Sequence, residues 1–347
     1  MSPAGPTMWA SVLESANQVS LRQVPVPAVG PNQVLVQVAA VGVCGSDVHY
    51  YLHGRIGDFI VKQPMILGHE ASGTIVEVGA NVPAGRVGQR VSIEPQHICR
   101  VCAQCKAGRY NLCEHIEFYA TPPIDGAFAE YAVIDADFAY PIPDSMSWDA
   151  AALCEPLSVG IWSNKKAGTQ PGSRILIAGG GPIGIILAQT AKAFGAAEVI
   201  ISEPQAGRRE LALKLGADTV VDPREVDLSD PAWRVDAFIE AAGSDAALVQ
   251  GIGAVRGNGR VVLVGMSPSP DQTLPTATIA ARELVVTGIF RYAHTWPTAI
   301  GLINEGKVNM DALVTGHFGL DQVVEALESP RNPATLKSIV VPSQRAA

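Results

Sequence analysis

Four cysteines fall within fifteen residues, Cys99, Cys102, Cys105 and Cys113 in the run CRVCAQCKAGRYNLC, out of only six in the 347-residue chain. Disulfide pairing does not suit so compact a loop. Four thiolates converging on one point suit a closed tetrahedral zinc site, with no coordination position left for a substrate. Its expected role is therefore structural, the alternative being four unrelated thiols. The cluster directs attention to other metal donors. Cys44 stands in VGVCGSDVH, and His69-Glu70 stands in LGHEASG. A thiolate, an imidazole and a carboxylate or water make an open zinc site, which is what a Lewis acid requires. Spacing alone leaves this second site open, because a lone buried cysteine is usually a small hydrophobe.

A third chemical signal is Gly179-Gly180-Gly181-Pro182-Ile183-Gly184, which fits G-x-G-x-x-G. It follows an apolar run with strand character, opens a run with helical character, and is followed by an acid at Glu203. The glycines let the backbone turn tightly against a pyrophosphate, and the helix N-terminus adds positive potential. Glu203 is expected to accept hydrogen bonds from the adenosine ribose and to repel a 2′-phosphate, which favours NAD over NADP. Arg208 and Arg209 lie close by and temper that preference.

These groups must be positioned by two kinds of element. The first 150 residues hold short β-branched runs between glycine and proline turns, with strands expected at 34–43, 71–78, 90–93 and 128–134. This is the texture of a mostly-β, partly barrel-like domain. From about residue 157 strands alternate with helices: strands at 174–179, 198–202, 219–221, 235–240, 260–264 and 284–289, and helices running to Ala193 and Leu215. Six such strands are what a doubly wound parallel-sheet (Rossmann) domain requires. The expected fold class is thus α/β plus β. Its division is 1–156 for the catalytic domain, 157–295 for the dinucleotide domain, and 296–347 returning to the first.

Composition narrows the setting. The 33 acidic and 25 basic side chains leave a net charge of −8. That argues against general affinity for nucleic acid or an anionic membrane. No apolar run is long enough for a membrane span, the start of the chain lacks a secretory pattern, and clustered thiols fit a reducing cytoplasm.

GHEASG followed by VEVG, the four-cysteine loop and the glycine turn appear here in an order that resembles the medium-chain zinc dehydrogenases. The resemblance is closest to their sorbitol (polyol) dehydrogenase branch. It rests on CGSDVHYY (44–51), GRIGDFIVKQPMILGHEASG (54–73), ATPPIDG (120–126), EPLSVGIW (155–162) and FRYAHTWP (290–297), and it covers essentially the whole chain. It implies a GroES-like catalytic domain, two zinc ions per chain, NAD, a small polyol substrate and a homotetramer. The catalytic zinc would lie on Cys44, His69 and Glu70. Glu155 stands where alcohol dehydrogenases carry a second cysteine ligand, and which of Glu70 and Glu155 touches the metal is left open. Some animal members lack lobe cysteines, whereas this chain keeps all four.

By the same resemblance, Ser46 and His49 match a proton relay, with Glu155 as a further catalytic group. Tyr50, Phe59 and Phe118 match walls of the polyol pocket, and Arg291 and Tyr292 match polar groups near substrate and nicotinamide. The backbone of Val264–Met266 and Phe290–Tyr292 would place the nicotinamide. The implied reaction is NAD-dependent oxidation of a sugar alcohol such as sorbitol, xylitol or galactitol to the ketose, through an alkoxide and hydride transfer. Another secondary alcohol or threonine is the nearest alternative substrate. A zinc-module binding protein that senses redox state is the alternative from another class, disfavoured by the acidic charge.

Overall fold

The computed structural model describes residues 5–267 and 271–344. The chain forms two compact units, one holding the residues up to Glu155 and from Met310 onward, the other Pro156–Asn309.

The first unit is built on Gln33–Gly42 (QVLVQVAAVG), a nearly continuous apolar run that reads as a strand buried on both faces. It lies in a seven-stranded sheet. Glu70–Val78 pairs antiparallel along one edge, from Val34↔Val78 to Gly42↔Glu70. The other edge is shared, Tyr131–Asp135 taking the first half and Lys337–Val341 the end, through Val41↔Val340 and Gly42↔Ile339. The strand end that precedes Cys44 is therefore paired on both sides. A second sheet orders Gln18–Pro25, Thr7–Ser15 and Met65–Ile66. The helix Gly45–His53 leaves the central strand at Cys44 and stops at Gly54, a left-handed cap at φ 66°.

In the second unit the sheet order is Thr219–Val221, Glu198–Ser202, Arg174–Ala178, Val235–Glu240, Val255–Leu263, Val285–Gly288, all parallel. In chain order this is 3-2-1-4-5-6, the doubly wound dinucleotide topology. The helices Pro182–Ala193 and Ala206–Lys214 follow the first two strands as expected.

Three expectations are corrected. The stretch 128–134 is not one strand. Phe128 and Ala129 are fully buried in an irregular link, where Phe128 N–H donates to the Leu67 carbonyl, and regular pairing starts at Tyr131. The fifth strand of the parallel sheet is longer than expected, Val255–Leu263, and accommodates a register shift against its neighbour. The return to the first unit falls at Met310 rather than at 296. The helix Trp296–Asn304 stays with the second unit, with Trp296 packed against Tyr292 at 5.2 Å, and Asn309 N–H donates to Gln189 Oε1.

One buried acid sits beneath the cysteine loop. Glu94 is fully buried and accepts hydrogen bonds from Gln96 Nε2 and Tyr110 Oη. Burial pushes its carboxyl up from 4.5 to about 7, with the hydrogen bonds from Tyr110, Gln96 and Tyr140 pulling the other way. The folded chain holds this proton between those two values while the unfolded chain gives it up. Stability therefore falls as pH rises through that window, by on the order of 3 kcal/mol. Glu94→Gln keeps an acceptor and cannot ionise. It should raise the melting temperature clearly at pH 8 and little at pH 4, measured by circular dichroism.

Candidate metal and dinucleotide sites

The four-cysteine loop closes as its spacing requires. Sγ–Sγ distances are 3.5 Å for Cys99–Cys113, 4.0 Å for Cys99–Cys105 and 4.0 Å for Cys102–Cys113. A tetrahedron with metal–sulfur bonds of about 2.3 Å has edges of about 3.8 Å, so the donor set fits zinc. Backbone N–H groups point at the sulfurs, Cys102 to Cys99 at 3.3 Å and Cys105 to Cys102 at 3.5 Å. Such donors favour the thiolate and bring Cys102 down to about 6, whereas burial takes Cys105 up to about 12. The loop is tied to the sheet by Arg100, which pairs with Asp135 at 3.0 Å and Asp137 at 2.6 Å.

The second cluster unites residues far apart in sequence. Cys44, His69 and Glu70 each present a donor atom, and these atoms lie within 4.8 Å of one another. Cys44 is the N-cap of Gly45–His53, and Glu70 opens its strand opposite Gly42. Gly42 is required by that approach, since a Cβ there would meet Glu70 Oε2 at 2.0 Å. Glu70 is buried, with Lys337 Nζ 2.6 Å from both of its oxygens, and the carboxylate still has lone pairs that suit a cation. A thiol, an imidazole and a carboxylate at this spacing fit zinc with one position open.

Two residues not anticipated from the sequence support the cluster. Asp47 is fully buried, accepts from Cys44 N–H at 2.9 Å and Gly68 N–H at 3.0 Å, and lies 3.6 Å from His69 Nδ1. Burial alone would raise its pKa, but His69 and the two backbone donors carry it below the ordinary value. A carboxylate behind a metal-ligating imidazole fixes the ring and its tautomer. Lys337 is buried too, with Nζ 2.6 Å from Glu70. Burial would lower its pKa, and the charges of Glu70, Cys44 and Glu155 more than reverse that, so it is held as ammonium. The signals that would have found them are an acid three residues after Cys44 and a lone charge opening the apolar run KSIVV.

Other expected residues fall variously. Phe118 is buried with its ring 5.6 Å from that of His69, beside the cluster. Glu155 is 5% exposed at the start of the helix Cys154–Ala167, outside the three converging donors but close enough to act on Lys337. Ser46, His49 and Tyr50 lie on Gly45–His53, where His49 is exposed, its ring 5.7 Å from His53, and Tyr50 is buried. Phe59 is 45% exposed on a two-residue strand. Tyr292 is fully buried, its ring 5.2 Å from that of Trp296. Arg291 has a positive φ of 52° and its guanidinium lies 4.8 Å from the Phe290 ring centroid.

In the second unit the glycine turn joins Arg174–Ala178 to Pro182–Ala193, with Gly181 as N-cap and Pro182 in the first turn. A Cβ on Gly184 would sit 1.9 Å from the Gly179 carbonyl, so the helix can approach the strand only as glycine allows. Ile183 follows in the first turn of the helix. Glu203 accepts from Gly180 N–H and Gln205 N–H, each at 2.8 Å, which binds the turn to the end of the second strand. A cavity of about 520 Å³ opens here, lined by Gly179, Gly181, Glu203 and Arg208 among others, and by Ala241 and Ala242 beyond the fourth strand. This is the switch point where doubly wound sheets bind nucleotides. Val264 N–H donates to the Glu240 carbonyl, while Met266 and Phe290 are exposed.

Comparisons with known proteins identify the family of the chain. Residues 30–144 match the alcohol dehydrogenase GroES-like domain, and residues 182–305 match the zinc-binding dehydrogenase family. The chain is 42% identical over 327 residues to the sorbitol dehydrogenase of Bacillus subtilis, covering 92% of this chain and 93% of that one. It is 41% identical to the human sorbitol dehydrogenase, covering 96% of each. Among solved structures, L-idonate 5-dehydrogenase from Escherichia coli superposes with a TM-score of 0.90 at 28% identity, covering 97% of this chain and 98% of that one. A zinc-family structure from Sinorhizobium meliloti 1021, bound to NADP, superposes with a TM-score of 0.90 at 33% identity, covering 97% and 99%.

Two measurements check the sites. Cys102→Ser should remove one zinc per chain by metal analysis and lower the melting temperature, with turnover per folded molecule kept within about twofold. Selective loss of turnover at unchanged stability would refute a structural role. Glu203→Ala should shift the ratio of NADP to NAD use upward by at least about tenfold, since like charges facing each other cost several kcal/mol.

Proposed function

The chain belongs to the medium-chain zinc dehydrogenases, within their sorbitol (polyol) dehydrogenase branch, and from that premise we propose that it oxidises a sugar alcohol to the ketose with NAD. The observation that supports this most directly is the convergence of Cys44, His69 and Glu70, three donors of the kinds an open zinc site uses. When bound there, zinc supplies a Lewis acid that stabilises negative charge on oxygen, and NAD accepts the hydride. Cys44, His69 and Glu70 hold the metal, with Asp47 orienting the imidazole. The thiols of Cys99, Cys102, Cys105 and Cys113 hold the second zinc.

The remaining chemistry falls to protein groups. A proton must leave the substrate hydroxyl, and we assign its path to Ser46 Oγ and then the exposed imidazole of His49, one helical turn along Gly45–His53. A polyol also carries hydroxyls that do not react, and each costs about 1–3 kcal/mol if desolvated without a partner. By the family resemblance we assign these hydroxyls to Glu155, Tyr50 and Arg291. Phe118 shuts one side of the cluster against water. Such polar groups favour a polyol over a simple apolar alcohol.

The dinucleotide is held by the glycine turn 179–184, with Glu203 on the adenosine ribose and Arg208 beside it. Val264, Met266, Phe290 and Tyr292 are assigned to the nicotinamide end through their backbone. We place the enzyme in the cytoplasm as a homotetramer. Two observations are consistent with this. Among the described residues no helix is long and apolar enough to cross a membrane. The sheet edge Val285–Gly288 carries the exposed Val285, a strand edge that a second copy would cover.

A second substrate class is favoured by one observation, a TM-score of 0.88 at 30% identity to 2R,3R-butanediol dehydrogenase from Bacillus subtilis, covering 96% of this chain and 99% of that one. A substrate panel separates the two. With NAD, sorbitol, xylitol or galactitol should give higher kcat/KM than 2-butanol, 2,3-butanediol or threonine, on protein that carries two zinc per chain. Equal or better turnover of the simple alcohols would move the assignment to that class.

A further inference from the structure

Lys337 reaches the metal cluster from the far end of the chain. It is the first residue of Lys337–Val341, and its side chain is 5% exposed. Nζ lies 2.6 Å from both carboxylate oxygens of Glu70 and donates to the Val43 carbonyl at 2.7 Å. Val43 N–H in turn donates to the Ser338 carbonyl at 2.9 Å. The residue before Cys44 is thus held on both its polar groups by consecutive residues of one strand, and Glu70 is held by the first of them.

A buried ammonium is a costly way to brace a turn. Its desolvation amounts to several kcal/mol, and well-packed apolar side chains usually serve stability as well or better. What an apolar side chain cannot do is hold positive charge against a metal-ligating carboxylate. We propose that Lys337 is a positioning residue that competes with zinc for Glu70, making that carboxylate a shared, exchangeable ligand rather than one committed to the metal. This rests on the reading of Cys44, His69 and Glu70 as the zinc ligands.

The charges around the pair decide the sign of the effect. Glu70, Asp47, Glu155 and Cys44 face this pocket, and Lys337 is the cation they act upon. In the metal-free protein Lys337 neutralises Glu70, which makes an empty site tolerable. With zinc present, the ammonium and the metal draw on the same two oxygens and repel each other. Removing the ammonium therefore destabilises the metal-free state and relieves the metal-bound one. Both changes tighten zinc. A lysine that served only as a brace predicts the opposite, because its loss would slacken Val43 and Glu70 and weaken the site.

The test uses the full-length protein stripped of metal and reloaded with Zn²⁺ alone, with affinity read by competition against a chelator. Lys337→Met should lower the dissociation constant of one zinc by about tenfold or more, the range expected from losing one charged hydrogen bond. The melting temperature of the metal-free protein should fall, and the four-cysteine site, as internal control, should keep its affinity. Lys337→Arg, which keeps the charge, should return the constant to within about threefold of the parent. In a Glu70→Gln background, Lys337→Met should change zinc affinity less than threefold. Should Lys337→Met fail to fold, Lys337→Gln, which retains a donor for the Val43 carbonyl, takes its place with the same expectation. Weaker or unchanged zinc binding would overturn the proposal, as would an arginine variant as tight as the methionine one or an undiminished effect in the glutamine background. Cys44→Ser tests the underlying reading separately: it should cost one zinc per chain, and retention of both would refute the ligand assignment whatever Lys337 does.

Discussion

The first unit is organised by one electrostatic constraint, the burial of several acids around a single small space. Asp47 and Glu70 are at most 1% exposed and Glu155 only 5%, with the Cys44 thiol among them. Carboxylates cannot be taken out of water without compensation, and the compensation has to be local because the desolvation is local. Each acid meets it differently. Asp47 turns both oxygens to backbone N–H groups and an imidazole. Glu70 faces the Lys337 ammonium with both oxygens and leaves its remaining lone pairs for a cation. The site is thus a partly compensated anionic hole, and a divalent metal completes what the polypeptide leaves undone.

That compensation explains why the fold closes as it does. Val43 and Lys337 meet although they are 294 residues apart. The second unit is inserted between them, so the catalytic unit is not complete until the chain has built an entire dinucleotide domain and come back. The central strand Gln33–Gly42 is half-paired by Tyr131–Asp135, which leaves its C-terminal end open for the returning strand. The open half is the half next to Cys44. Gly42 serves the same arrangement from the other side, since the carboxylate of Glu70 fills the volume a side chain would take.

The sequence revealed most where the determining contacts are short-range. The thiols of the lobe lie within fifteen residues, the glycine turn binds its own helix, and the strands of the parallel sheet are apolar runs bounded by turns. Periodicity and spacing report such features because the physics acts over the same window. Lys337 escaped because a lysine at the start of KSIVV looks like a solvated strand end until the strand's neighbours are known. Asp47 escaped because its partners, Cys44 and Gly68 by backbone and His69 by side chain, come from two segments. The domain boundary was misplaced for a related reason: Trp296 packs on the fully buried Tyr292, and the helix carrying it keeps the chain in the second unit up to Asn309.

The two metal clusters show how one ion is given two roles by donor chemistry alone. Four sulfurs within a short loop, three of them met by backbone N–H groups, would surround an ion on every side, and the loop is anchored by Arg100 to two aspartates. Four such thiolates carry more negative charge than a divalent ion cancels, so the closed lobe binds firmly and leaves no Lewis acidity to spare. The mixed cluster inverts this. One thiolate, one neutral imidazole and one carboxylate whose charge is already engaged by Lys337 would leave a bound zinc under-neutralised, with a coordination position open. An under-neutralised zinc is a stronger acid toward a fourth oxygen. On this argument the buried lysine and the missing fourth sulfur act in the same direction. What distinguishes the reactive site from the structural one is how much negative charge the protein withholds.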